Sequence, residues 1–547
     1  MSGNRFPNWK ATMPTYTNPV LDADWPDPDV IRVGAEYYLV ASSFNRVPGL
    51  PVLTSRDLVH WRFAGHALTA LPPADHYALP RHGSGVWAPS IRHHDGRFVI
   101  VYPDPDHGVY VTWATRAAGP WSTPHLLLPG RGIIDPCPLW DDDGRAYLVH
   151  GWARSRSGVA NRLTVVEVDP GLERIIAEPR TVVDGDEIPG CRTLEGPKLY
   201  TRDGWYWIFA PAGGVATGWQ YAFRSRDVYG PYEHRVVLEQ GGTDVNGPHQ
   251  GAWVDTADSR HWFVHFQDRG AFGRVVHLQP MTWAADGWPR IGEEIATAPG
   301  SGRPVASAEF SPAPAPDGPG LGHSELDHSD LDCSDGFDTP VPRPVWHWQA
   351  NPHSSWLHST GDGALRLRVL PEDRGDLRRL GQVLGQRLPG RASTWTTTVR
   401  LDGGPPGARA GVVVLGREYA WAGLIRTPAG ADVVCRRSDG VGVGVGVGVG
   451  VEESRAAALV ADGVTAEACV ELRVESDDAG AVTFSWRAPG ATEWTLLDEP
   501  YQATGGHWIG AEIGLFGVAP IGAPAGTDDV AAFGPVTVTG PETHRSR

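Results

Sequence analysis

Three acidic side chains stand where the backbone is stiffened around them. Asp27 lies in Trp25-Pro-Asp-Pro-Asp-Val-Ile, Asp135 in Ile133-Ile-Asp-Pro-Cys-Pro-Leu-Trp and Glu195 in Thr193-Leu-Glu-Gly-Pro-Lys-Leu-Tyr. Proline fixes φ and removes a backbone donor, so each carboxyl group opens a constrained segment. Gly196 lets other groups come close to Glu195. Breaking a glycosidic bond needs one group to protonate the leaving oxygen and another to activate water or replace it as nucleophile. Two carboxyl groups can do both jobs. Any one of the three, taken alone, is an ordinary turn carboxylate beside proline. The case for chemistry is that they recur at matching places in a repeat.

The repeat is a turn followed by an aromatic strand. Its five copies are Gly34-Ala-Glu-Tyr-Tyr-Leu-Val, Asp95-Gly-Arg-Phe-Val-Ile-Val, Asp143-Gly-Arg-Ala-Tyr-Leu-Val, Asp203-Gly-Trp-Tyr-Trp-Ile-Phe and Asp258-Ser-Arg-His-Trp-Phe-Val. Each follows a Pro- or Gly-marked strand, and these begin at Pro26, Trp87, Asp135, Glu195 and His249. A period of about 50–60 residues suits one four-stranded blade with its loops. Five copies predict a five-bladed β-propeller over residues 1–310. The innermost strand of every blade lines the central axis, so Asp27, Asp135, Glu195 and His249 are expected to converge there.

Residues 311–333 are rich in Pro, Gly, Ser and Asp and read as a linker. From Ser334 to the end, short alternating strands such as Ala364-Leu-Arg-Leu-Arg-Val and Ala481-Val-Thr-Phe-Ser-Trp predict a two-sheet β-sandwich. The whole chain is therefore expected to be all-β. Within the second region, residues 441–451 alternate Val and Gly. Glycine weakens a strand and loosens its register, so a loop without function is expected there.

Composition narrows the partners. The 547 residues carry 47 Lys and Arg against 64 Asp and Glu, a formal charge of −17. That excess repels polyanions, which argues against nucleic acid and anionic membranes. A neutral small molecule fits better. The five cysteines are scattered with no C-x-x-C pair, against zinc and against a disulfide framework. No apolar run suggests a signal peptide or a membrane span, so a cytoplasmic location is expected. The 23 tryptophans serve either as sheet core or as platforms for the C–H face of a sugar ring.

The first three hundred residues resemble glycoside hydrolase family 43. The resemblance rests on Asp27-Pro28, Asp135-Pro136 and Glu195-Gly196-Pro197 in that order, with Asn18-Pro-Val-Leu, Ser55-Arg-Asp-Leu-Val-His-Trp and Trp87-Ala-Pro around them. The region after Ser334 is similar to the concanavalin-like jelly roll that follows the propeller in the β-xylosidase branch. This implies an exo-acting, inverting hydrolase that releases terminal pentose from a small oligosaccharide, as a β-xylosidase, an α-L-arabinofuranosidase or both. Asp27 would be the general base, Glu195 the general acid, and Asp135 the group that orients Glu195 and keeps its pKa high. An arginine late in the propeller would bind the sugar near the base, with Arg274 the better match and Arg269 its rival. Trp87 would line the sugar pocket and Phe44 would be a further pocket residue. His249 matches a histidine that faces an axial metal ion, often calcium, in many members. No cofactor is implied for the chemistry itself, and a homo-oligomer is compatible with the sequence. Ile134 departs from the family, where phenylalanine often precedes the central Asp, which leaves the sugar preference open. The competing readings are a propeller hydrolase for fructan or sucrose, whose Asn-Asp-Pro-Asn-Gly motif is missing here, and a carbohydrate-binding propeller without turnover.

Overall fold

A computed structural model of the chain describes residues 13–312, 331–373, 375–438, 467–524, 526 and 528–540. The Val-Gly tract and most of the expected linker lie outside the described residues. The described residues are strand, loop and a few single helical turns.

Five units of four antiparallel strands follow one another along the chain, here blades I to V, the fourth extended by the short strands Glu293–Glu294 and Gly302–Arg303. Their innermost strands are Asp29–Val33, Ser90–His94, Ile133–Trp140, Lys198–Arg202 and His249–Asp255. Each leads through a tight turn into the aromatic strand of the repeat. Asp95 and Gly96, like Asp203 and Gly204, both have positive φ, as hairpin turns that match the strand twist require.

The second strands of blades II to IV read as unbroken apolar runs for a physical reason. Side chains alternate faces along a strand, and here both faces are buried against neighbouring blades. In blade II, Ile100 and Tyr102 pack with Val40 and Val52 of blade I. Val99 and Val101 turn the other way and pack with Leu148 and Val166 of blade III. In blade III, Tyr147 and Val149 meet Ile208 and Ala210 of blade IV, and Trp207 and Phe209 meet Phe263 and Met281 of blade V. The ring closes where Ala252, Val264 and Leu278 pack with Leu39 and Leu53 of blade I. The start of the chain ties this seam: Thr15–Thr17 pairs with Ser307–Glu309, and the Tyr16 hydroxyl donates to the Leu278 carbonyl at 2.6 Å.

The second region is two sheets face to face. One is built around Glu512–Pro520 and Arg409–Leu415, the other around Ser393–Asp402 and Glu467–Ser476. Along Ser393–Asp402, Trp395, Val399 and Leu401 point into the core and their neighbours point out. The sandwich abuts the propeller closely. Val47 and Trp348 exchange backbone hydrogen bonds, and the Asn351 amide pairs with both backbone groups of Leu71.

Candidate active site

The innermost strands begin at one end of the axis, and the candidate residues sit at or just before those starts. Asp27 and Asp135 have φ of 55° and 57°. A residue before proline is steered away from the right-handed helical region, and Asp tolerates the left-handed one better than most residues. In blade IV the residue before proline is Gly196, with φ of 60°, so Glu195 stands one position upstream. The offset between the Asp and Glu copies follows from this. Glycine takes the left-handed place, and the longer Glu side chain reaches the site from the residue before it. In blade III the pairing register shifts between Ile134 and Cys137, and in blade V between His249 and Gly251. Such bulges turn Asp135 and Gln250 out of the ladder.

Asp27 is buried and held at both oxygens. Arg274 Nη1 donates to Oδ1 at 2.8 Å, and Ser42 Oγ donates to Oδ2 at 2.5 Å. Asp135 accepts from the Gly196 N–H at 2.7 Å, which ties it to the backbone beside Glu195. Glu195 keeps 24% of its side chain exposed, so it remains open to a substrate. Burial first, then the charges of Asp135 and Asp27, push its carboxyl up to about 8. Burial also raises Asp135, to about 6, against the Gly196 N–H and the Lys198 ammonium. At neutral pH Glu195 therefore keeps its proton more readily than Asp135 does.

Arg274 lies on Asp27, whereas its rival Arg269 turns to Asp22 and to the Gly390 carbonyl of the sandwich. Trp87 is half-buried, with its indole N–H on the Gly83 carbonyl. Phe44 is only 2% exposed, and its ring centroid lies 6.1 Å from that of Trp87. His249 is fully buried, with Nε2 3.5 Å from Glu195 Oε1. Burial holds its imidazole down to about 3, hence neutral. Among the described residues no three His, Cys, Asp or Glu side chains gather as a metal cluster.

The sequence reading missed three groups. Ser42 and Gln250, on Asp27 and Asp135, carry no motif that would single them out. Trp508 comes from the sandwich. The Trp508 ring lies 6.4 Å from Trp87 and 5.9 Å from the Arg274 guanidinium, and it is 44% exposed. The flanking glycines in Gly505-Gly-His-Trp-Ile-Gly were the available signal. They let this loop press against Gly270 and Gly273 of the propeller.

A buried acid that keeps its proton near neutrality, a clasped carboxylate and flanking indoles can cleave a glycoside by proton donation and water activation. Residues 16–289 match Glycosyl hydrolases family 43, and residues 334–534 match the Beta xylosidase C-terminal Concanavalin A-like domain. The chain belongs to glycosyl hydrolase family 43 and is a glycosidase. It is 39% identical to a putative beta-xylosidase of Xylanibacter ruminicola, over 75% of this chain and 73% of that one. It is 31% identical to a non-reducing end alpha-L-arabinofuranosidase of Bacteroides ovatus, over 65% of each. The fold is shared with a solved xylan beta-1,4-xylosidase of Bacillus halodurans, with a TM-score of 0.78 at 21% identity over 96% of this chain and 99% of that one.

Proposed function

We propose that the chain removes single pentose units from the non-reducing end of xylose- or arabinose-containing oligosaccharides, with inversion at the anomeric carbon. Asp27 takes a proton from water as its oxygen attacks C1. Glu195 gives its proton to the leaving oxygen as the C1–O bond breaks. Asp135 orients Glu195 and, as a neighbouring negative charge, helps keep it protonated. Arg274 holds Asp27 and presents its guanidinium to the sugar hydroxyls. Relatives named for β-xylosidase and for α-L-arabinofuranosidase activity support both pentoses as substrates. The walls formed by Trp87 and Trp508 support a small terminal sugar.

The reading rests above all on one contrast: Glu195 is raised to about 8, while Asp27 accepts hydrogen bonds from both Arg274 and Ser42. Its test is Glu195→Ala. Turnover of xylobiose should fall by a factor of about 10² to 10⁴, whereas an aryl xyloside with an activated leaving group, which needs no protonation, should be largely spared. Equal loss on both substrates would remove Glu195 from the acid role.

A further inference from the structure

The sandwich grips the propeller directly behind the general base. Arg46 is buried between two carboxylates: Nη1 lies 2.8 Å from Asp24 of the propeller, and Nε pairs with Glu512 of the sandwich. Glu512 also takes the Gln349 amide and stands 3.0 Å from His347 Nε2. On the neighbouring sandwich strand, in direct register with Glu512, is Arg387. Its Nε donates to the Asp24 carbonyl at 2.7 Å, and its guanidinium stacks 3.9 Å over the Trp25 ring. Two carboxylates and two guanidinium groups thus balance in one buried cluster, with one acid and one base from each domain.

Arg274, one of the two groups that hold Asp27, is hydrogen-bonded to this cluster, and Ser42, the other, lies four residues before Arg46 in the chain. Asp24 Oδ1 accepts the Arg274 backbone N–H at 3.0 Å, and the Trp25 N–H donates to the Arg274 carbonyl at 2.9 Å. The stretch around Arg46 carries Ser42, which donates to Asp27, and Phe44, whose φ is 51°. Asp27 itself is in the left-handed region, a conformation that persists only where its surroundings over-determine it. The approach is tight: a Cβ on Gly273 would fall 2.2 Å from Asp24 Oδ1 and 2.6 Å from the Gly510 nitrogen of the sandwich.

We infer that Glu512 and Arg387 are positioning residues for catalysis: through Arg46 and Asp24 the sandwich sets the geometry of the general base and of Arg274. The inference rests on Asp27 being that base. Buried ion clusters of this kind add little net stability over apolar packing, but they fix geometry, and removing one member leaves a partner charge uncompensated. Loss of the Glu512 charge would draw Arg46 wholly onto Asp24 and pull Asp24 off the Arg274 N–H.

The test uses the full chain with Glu512→Gln, assayed on xylobiose and on an activated aryl xyloside. A displaced base impairs both substrates alike, since water must be activated in either case. We expect kcat to fall by about 10- to 100-fold, by the same factor on both, the range that a misplacement of an ångström produces. Purely structural damage would lower the melting temperature and leave kcat of the folded enzyme unchanged. Wild-type kcat in folded Glu512→Gln overturns the inference, as does loss on xylobiose alone. Where Glu512→Gln does not fold, Arg387→Lys decides: it keeps the charge, loses the Nε bond to Asp24, and should show a smaller loss shared by both substrates. Wild-type kcat there overturns the inference equally. Full activity in Asp27→Ala would instead sink the proposed function, which keeps the two failures apart.

Discussion

At the scale of single residues, the site separates two carboxyl groups by their surroundings. Glu195 is desolvated and faces Asp135 and Asp27, so ionisation is opposed from several sides. Its rate consequence is a fall in kcat/KM for xylobiose as pH rises through about 8, read from a pH–rate profile. A stability consequence follows with definite sign. In the unfolded chain Glu195 ionises near its ordinary 4.5, and in the fold near 8. Between those values the native state holds a proton that the unfolded state has lost, so stability declines as pH rises across that window. Glu195→Gln is neutral throughout. It should melt above the wild type at pH 8 and level with it at about pH 4, below both values. Equal melting at both pH values would mean that the carboxyl is already ionised in the folded enzyme. The three carboxyl positions were legible because proline marks each of them. Ser42 and Gln250 were not, because a hydroxyl or amide acquires meaning only from the acid that the fold sets against it.

At the scale of elements, the starts of the innermost strands do the positioning. Left-handed residues and bulges place Asp27, Asp135, Glu195 and Gln250 outside the regular ladder, where side chains can converge. Gly196 is the most sensitive hinge of this arrangement. A Cβ there would lie 2.8 Å from Pro211 Cδ, at a φ of 60°. Gly196→Ala should cost about 1–3 kcal/mol of stability by denaturant unfolding. It should also lower kcat, because the same N–H holds Asp135. Wild-type stability and rate in that variant would show that the turn can relax. The blades themselves were readable because strands buried on both faces become apolar runs punctuated by Asp-Gly turns. The offset of Glu195 by one residue was visible as a spacing. Its cause, the left-handed glycine before Pro197, emerges only from the backbone angles.

At the scale of the whole molecule, the sandwich reaches the site. Trp508 stands between Trp87 and Arg274 and is 44% exposed. Trp508→Ala should raise KM for xylobiose about tenfold, the effect of roughly 1.4 kcal/mol of lost apolar cover. An unchanged KM would assign the ring to the outer surface only. The sandwich as a fold was legible from its alternating strands. The residues through which it reaches the site were not, because Glu512 and Arg46 stand 466 residues apart and neither sits in a motif. Burial of both partners in a single interdomain cluster gives them their role.

The most direct measurement of the mechanism is the anomer first released from an aryl β-xyloside, followed by proton NMR before mutarotation. In the proposed mechanism water activated by Asp27 attacks the face of C1 opposite the bond that Glu195 protonates, so α-xylose should appear first and relax toward the equilibrium mixture. Initial release of β-xylose would mean a covalent intermediate and two displacements, and would contradict the roles given to Asp27 and Glu195.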